Sequence, residues 1–164
     1  NAIETREQQA RLMALRDAAM ELRLGYWAEQ IDIQAALLGA LALCAEGKSA
    51  TCIEGLKAAA MREDATEKHA VTPGPLVPAR ELLAEMLLTQ NKFADALREY
   101  EAVMAKEPNR YRTLAGAMAA ARGAGDQAKA RAMAVEVVKL GSDAGFIGAA
   151  GLARREQRGA VLHR

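Results

Sequence analysis

The chain has 164 residues and a formal net charge of +1, with 22 Lys and Arg against 21 Asp and Glu. Apolar residues make up 51% of it but aromatic residues only 4%, and Ala and Leu dominate the apolar part. This composition favours helices, because the β-branched and aromatic residues that strands prefer are few. The even charge balance gives no global attraction to nucleic acid or to an anionic membrane, so neither is an expected partner.

The first predicted element is a long amphipathic helix at residues 3–24. Its apolar residues recur on one face at helical spacing, at Leu12, Leu15, Ala19 and Leu22. Gly25 marks a turn, and Tyr26 and Trp27 lead into the next helix. Aromatic residues in helical arrays mostly fill the core, although an exposed one would be a candidate binding hot spot. The sequence favours the core for both.

Two cysteines follow, Cys44 and Cys52. Their spacing matches neither a C-x-x-C redox pair nor a zinc site, so we expect two partly buried free thiols in a reducing compartment. The most apolar stretch, residues 30–45, is too short to span a bilayer. No signal peptide or lipidation motif is visible, and the expected location is the cytoplasm. The chain opens on Asn1 without an initiator Met, which leaves open that it is a piece of a longer protein.

A thirty-four-residue unit is clearest at residues 77–110. Two apolar-periodic segments, 78–90 and 92–106, are separated by a break at Asn91. The stripe of the second segment consists of Phe93, Ala96, Leu97, Tyr100, Val103 and Met104. Pro108 closes the unit, because proline cannot continue the preceding helix.

The next unit, residues 111–144, follows the same plan. Its two apolar stripes are Leu114, Ala117, Met118 and Ala121, then Ala130, Met133, Ala134, Val137 and Val138. Glycine in the turn at 123–126 supplies a left-handed residue, and Asp126 is a good N-cap for the second helix. A more diverged unit occupies residues 33–66. Ten extra residues, 67–76, contain a Pro-Gly-Pro run and predict a surface loop.

These units resemble the tetratricopeptide repeat, a helix–turn–helix motif with small residues, an aromatic residue and a proline at set positions. The block that starts at Val77 has Ala84, Ala96, Tyr100 and Pro108 at those places. In the following block Ala130 keeps a small residue, but Ala134 replaces the aromatic residue and Ser142 the proline.

The resemblance implies an all-α, right-handed α-solenoid of antiparallel hairpins, with about three repeats plus flanking helices over residues 1–144. Residues 145–164 are then a capping helix or a frayed tail. The segments GYWAEQIDIQ, EDATEKHAVTPGPLVPARELL and KEPNRYRTLAGA further resemble the C-terminal part of long bacterial tetratricopeptide proteins, over residues 11–140. That similarity implies the last portion of a longer solenoid and adds no catalytic residue.

Catalysis is not expected. Only two histidines, His69 and His163, are present, and no nucleophile, base and orienting group assemble. Glu63, Asp64, Glu67 and His69 cluster in sequence, and a metal ion is one reading of them. The favoured reading is a solvated helix end with His69 capping it or packing against the loop, so we predict no metal and no cofactor.

In tetratricopeptide geometry the second, fifth, ninth and twelfth positions of the first helix face a concave groove. These are Pro78, Glu81, Glu85 and Leu88 in one repeat, and Arg112, Ala115, Ala119 and Arg122 in the next. Inward Lys and Asn, which clamp a terminal carboxylate, are absent from these places. The mixed charge suits an extended or helical peptide, which predicts a protein interaction module or scaffold. The alternative is a structural end-piece, or a self-association module forming a homo-oligomer, of a longer repeat protein whose active or binding site, metal-dependent or not, lies elsewhere.

Overall fold

A computed structural model describes residues 1–66 and 77–143, with side chains to residue 140. The described residues contain helices and no strand, which confirms the all-helical prediction. In chain order the helices are α1 (Ala2–Glu21), α2 (Gly25–Ala45), α3 (Ser49–Ala65), α4 (Ala79–Thr89), α5 (Phe93–Lys106), α6 (Tyr111–Gly123) and α7 (Gln127–Asp143). Each packs on its neighbour in sequence, and α4 also contacts α6. The predictions for the loop at 67–76 and the tail at 145–164 lie outside the described residues.

Four of the turns between helices share one backbone geometry. Each contains a residue with positive φ, and the residue after it donates its N–H to the carbonyl five positions earlier. This hydrogen bond satisfies a carbonyl that would otherwise be unpaired at the helix end. The four positive-φ residues are Arg23, Gly47, Asn91 and Gly125. The last two lie 34 positions apart, as the sequence repeat predicts. At the first turn the prediction is wrong in detail, because α1 ends at Glu21 and Gly25 already begins α2.

A disulfide joins Cys44 to Cys52, which corrects the prediction of two free thiols. The S–S distance is 2.02 Å and the two Cα atoms lie 5.2 Å apart. Cys44 is in the last turn of α2 and Cys52 in the first turn of α3. The tight turn between two antiparallel helices brings them within disulfide range, although their spacing matches no sequence motif. The expected reducing compartment therefore loses its basis.

The α2 helix is the apolar centre of the first half of the chain. It packs between α1 and α3, and a Cβ at Gly39 would lie 2.5 Å from Nε2 of Gln9 on α1. By length and composition alone, α2 is also apolar enough to cross a membrane. With 21 residues this helix is longer than the stretch 30–45, so the prediction that the apolar region is too short to span a bilayer is wrong. A core helix and a signal sequence pass the same test. The α2 helix also carries Glu29 and Asp32, which pair with arginines of its two neighbours.

The predicted apolar stripes of the second half mostly form its core. Buried members include Leu83, Leu87, Ala96, Leu97, Tyr100, Val103, Leu114, Ala117, Ala121, Ala130 and Met133. Gly116 provides the space for Tyr100, because a Cβ at Gly116 would lie 2.3 Å from the ring carbon Cζ. Asp126 caps α7 as predicted, accepting a hydrogen bond from the N–H of Lys129 at 3.0 Å. Val138, expected in the last stripe, is exposed instead.

The stripe predicted for α1 is only partly buried. Ala19 is buried and Leu12 half-buried, whereas Leu15 and Leu22 are exposed, since α1 packs mainly on α2 among the described helices. Trp27 is 47% exposed, so the prediction that it fills the core is wrong. Tyr26 is half-buried and its ring meets the Trp27 ring edge-on, at 5.4 Å between centroids.

Candidate functional site

The predicted site residues fall on two helices that contact each other, α4 and α6. On α6 the exposed residues Arg112, Ala119 and Arg122 lie opposite a buried face that includes Leu114 and Ala117. We use the term α4–α6 face for the surface made by Glu85, Leu88, Arg112, Ala115, Ala119 and Arg122. The helical period places the four α6 members of this set on one side of the helix.

Glu81 does not line an open surface, because its side chain is fully buried. Its Oε2 accepts hydrogen bonds from Oγ1 of Thr113 and from Nε of Arg110, the latter at 3.2 Å. The other oxygen, Oε1, accepts no hydrogen bond and lies 3.7 Å from Nε of Arg112. Glu81 therefore ties α4 to α6 directly beneath the α4–α6 face.

Glu85 and Arg112 form a bidentate ion pair on this face. Nη2 of Arg112 donates to both carboxylate oxygens at 2.7 Å, and Nε donates to Oε1 at 3.0 Å. The Arg112 side chain is 52% exposed, and the hydrogen bond to Glu85 raises its already high pKa. Arg112 thus binds both carboxylate oxygens of Glu85 while part of its side chain remains exposed to solvent.

Tyr100 lies under the same region. Burial, followed by the negative charges of Glu85 and Glu81, raises the pKa of its hydroxyl to about 12, and Arg112 opposes this shift. The two glutamates therefore lie close enough to the hydroxyl to disfavour its ionised form.

The far end of the α4–α6 face carries an isolated positive charge. Arg122 is exposed and makes no ion pair within the described residues. It follows Arg112 by ten residues, or about 15 Å along the helix axis. Between them on α6 lie the half-buried Ala115 and the exposed Ala119, whose side chains are only methyl groups. The α4–α6 face therefore has a charged cluster at one end, a cation at the other and a shallow floor between them.

Sequence reasoning missed three residues of this region, namely Tyr100, Arg110 and Thr113. Tyr100 was identified as a core residue, but its proximity to the two glutamates was not. Thr113 shares the helical phase of the buried residues of α6, which is the one signal that was available. Arg110 precedes the helix, so no periodicity applies to it.

Two further charged clusters join helices elsewhere. Asp32 accepts hydrogen bonds from Arg16 on α1 and Arg62 on α3. The bond from Arg16 has the largest effect, and together the two bonds hold the pKa of Asp32 below its ordinary value. Asp64 on α3 pairs with Arg80 on α4 and Lys106 on α5. Burial alone would raise the pKa of Asp64, but the bonds from Lys106 and Arg80 outweigh it and the pKa is lowered.

A cavity of about 290 Å³ lies beside the second cluster, between the ends of α3, α4 and α5. Asp64, Arg80 and Lys106 line it and already bind one another. Among the residues that the structure describes, no group of three His, Cys, Asp or Glu side chains could hold a metal ion. Glu67 and His69, considered above as metal ligands, lie outside those residues.

Comparison with known proteins adds nothing to this description: no family model, no curated protein and no solved structure matches the chain. Any assignment of function therefore depends on the geometry of the chain itself. The α4–α6 face is the best-defined surface for that purpose, because its charges, its floor and its buried support are all described.

Proposed function

We propose that the chain is a tetratricopeptide-type repeat domain, a right-handed α-solenoid that acts as a protein interaction module. Two features support the architecture. Turns of one geometry recur at Asn91 and Gly125, 34 positions apart. In addition, Tyr100 on the second helix of one hairpin packs into space left by Gly116 on the first helix of the next, which is how stacked repeats bury their faces.

The α4–α6 face is the proposed binding surface for a peptide or an extended segment of a partner protein. The observation that carries this assignment is the shallow floor of Ala115 and Ala119, open between two charged ends about 15 Å apart. An extended peptide of four to five residues covers that length, at about 3.3 Å per residue. Backbone and side chains of such a segment could lie on the alanines while its charges meet the ends.

This role needs no catalytic residue, metal or cofactor. Nucleic acid and membrane have no place in it either, because the charged groups of the face are mixed rather than basic. The disulfide between Cys44 and Cys52 favours an oxidising compartment over the cytoplasm.

A blocking substitution tests the proposal. Peptides would be selected from a displayed random library on the immobilised chain and then measured against Ala119→Trp, which places a bulky group on the floor. The control is Ala128→Trp, another exposed helical alanine, located on α7. We expect Ala119→Trp to weaken binding at least about tenfold, or 1.4 kcal/mol, and Ala128→Trp to leave it unchanged. Failure to select any peptide, or equal binding by both variants, would refute the proposal.

Self-association is a second candidate function, favoured by a separate observation. Exposed apolar side chains gather at one end of the first three helices, where α1 ends, α2 begins and α3 ends. They are Met20, Leu22, Leu24, Trp27 and Met61, and we call them the apolar corner. Their common position follows from the bond between Arg62 and Glu29, which places the end of α3 beside the start of α2.

Sedimentation over a wide range of protein concentration distinguishes this candidate. Self-association through the apolar corner predicts a mass that rises with concentration and returns to that of a monomer in Trp27→Ser. A monomer mass throughout would eliminate it without affecting the peptide-binding proposal.

A further inference from the structure

We propose that the α4–α6 face selects a peptide segment with a basic residue at one end and an acidic residue four to five positions away. The basic side chain binds at Glu81 and Glu85, and the acidic one binds Arg122. This inference rests on the proposed function above and adds the chemistry of the partner to it.

The first argument is a surplus of hydrogen-bond acceptors at the acidic end. Two carboxylates offer about eight lone-pair positions. Glu85 uses three of them on Arg112, and Glu81 uses two, both on Oε2. Oε1 of the fully buried Glu81 accepts none. An ammonium group brings three donors and a guanidinium five, so a basic side chain supplies what this pair of carboxylates lacks.

Access to Glu81 is controlled by Arg112. The side chain of Arg112 is half exposed, and its Nε stands 3.7 Å from the unbonded oxygen, too far for a hydrogen bond. Solvent surrounds its outer side, so a rotation about its side-chain bonds can open a path for an incoming cation. When the incoming cation replaces Arg112, it donates a hydrogen bond to Oε1 of Glu81 that Arg112 does not make in the free protein.

Charge points in the same direction. Glu81 and Glu85 place two carboxylates beside the guanidinium group of Arg112 at this end of the face. Both of these glutamates contribute to the raised pKa of the Tyr100 hydroxyl. An acidic ligand group at this end would meet repulsion from carboxylates close to the surface.

The opposite end has the opposite preference. Arg122 makes no ion pair with a carboxylate of the described residues, and it lies on the same side of α6 as Arg112. A carboxylate of the ligand is its natural partner, through paired N–H···O bonds. The separation of about 15 Å between the ends then sets a spacing of four to five extended residues.

The experiment uses the peptides selected on the unaltered chain, read first as a sequence profile. We expect Lys or Arg to be enriched at one position, and Asp or Glu four to five positions away. Binding of one enriched peptide is then measured with Glu85→Gln and with Arg122→Gln, using Arg131→Gln as a control that removes an exposed, unpaired cation from α7. Each of the first two should weaken binding about tenfold, equivalent to 1.4 kcal/mol. The control should not.

Replacement of the basic residue of the peptide by norleucine completes a double-mutant cycle. Glu85→Gln should then cause no further loss, because the two changes remove the same interaction. Circular dichroism of each variant checks that helicity is retained.

Two failures are distinguishable. If selected peptides need the floor, as shown by Ala119→Trp, but lack a basic position or bind Glu85→Gln normally, this inference is wrong and the proposed function stands. A profile of acidic residues at both ends would assign the face to an anionic segment held by Arg112 and Arg122, and would also overturn it. If Ala119→Trp has no effect, the proposed function itself fails.

Discussion

The two halves of the described chain are built differently. Residues 1–66 form three helices of 17 to 21 residues, joined by a disulfide and by ion pairs at the surface, with several large apolar side chains exposed. Residues 77–143 form two hairpins, in which the first three helices have 11 to 14 residues. They enclose a buried tyrosine and a buried glutamate.

This contrast separates two ways to hold helices together. The hairpins interlock through specific buried contacts, Tyr100 in the space at Gly116 and Glu81 on Thr113 and Arg110. The first three helices add two links between helices to their apolar core, one covalent and one centred on Asp32. Substitutions of these links test the first half, and substitutions of the specific buried contacts test the second.

The largest expected effect is that of Glu81→Ala in the second half. It leaves the buried Thr113 without its partner and Arg110 with Glu107 only. Because Arg110 is partly exposed, the expected cost is near the lower end for a broken buried ion pair, about 3 kcal/mol. Urea unfolding followed by circular dichroism measures the change. Glu85→Ala on the same helix removes a more exposed pair and should cost under about 1 kcal/mol. Equal losses in the two variants would contradict the role given to burial.

Loss of the disulfide should be the largest single change in the first half. Opening a loop of this length is expected to lower the free energy of unfolding by about 2.5 kcal/mol. Thermal unfolding with and without a thiol reductant gives the number. The double variant Cys44→Ser, Cys52→Ser is the control, since its stability should not respond to reductant. Identical melting of the unaltered chain in both conditions would show that the cross-link is not formed.

Gly116→Ala sharpens the same comparison by overfilling the core. The new methyl group would meet the ring of Tyr100 at 2.3 Å, and such overpacking costs about 1–3 kcal/mol. Gly25→Ala in the first half is the matched control, because nothing lies within 4 Å of its new Cβ. We expect no loss there, since alanine also favours the helix. Chemical unfolding of the two variants under one condition compares them directly.

The smallest effect is a pH dependence of stability. The pKa values of Asp32 and Asp64 are lowered in the folded chain, so their contribution is fully present above the ordinary carboxylate pKa and is lost as pH falls through the lowered values. Melting temperatures of Asp32→Asn and Asp64→Asn, measured from pH 7 to pH 3, should fall below that of the unaltered chain at pH 7, and the gap should narrow as the pH falls. A gap that does not narrow would show that packing, not charge, explains the loss.

Much of the second half was predictable from sequence, since helical periodicity and turn chemistry act locally. Asn91, Gly125 and Asp126 all behave as predicted. The disulfide was not predictable, because Cys44 and Cys52 meet only through the turn between α2 and α3. Glu81 has the helical position expected of a groove-facing residue, and its burial depends on how closely α6 packs against α4. The exposure of Trp27 likewise depends on how the helices pack around the start of α2, which the local sequence does not encode.

Hydrogen–deuterium exchange, with and without a selected peptide, tests directly whether the peptide binds at the α4–α6 face, because it reports which helices the peptide protects. We expect slower exchange in α4 and α6, residues 79–89 and 111–123, and unchanged exchange in α1 to α3. Protection confined to the ends of α1 and α3 and the start of α2 would place the binding surface at the apolar corner and contradict the assignment to the α4–α6 face.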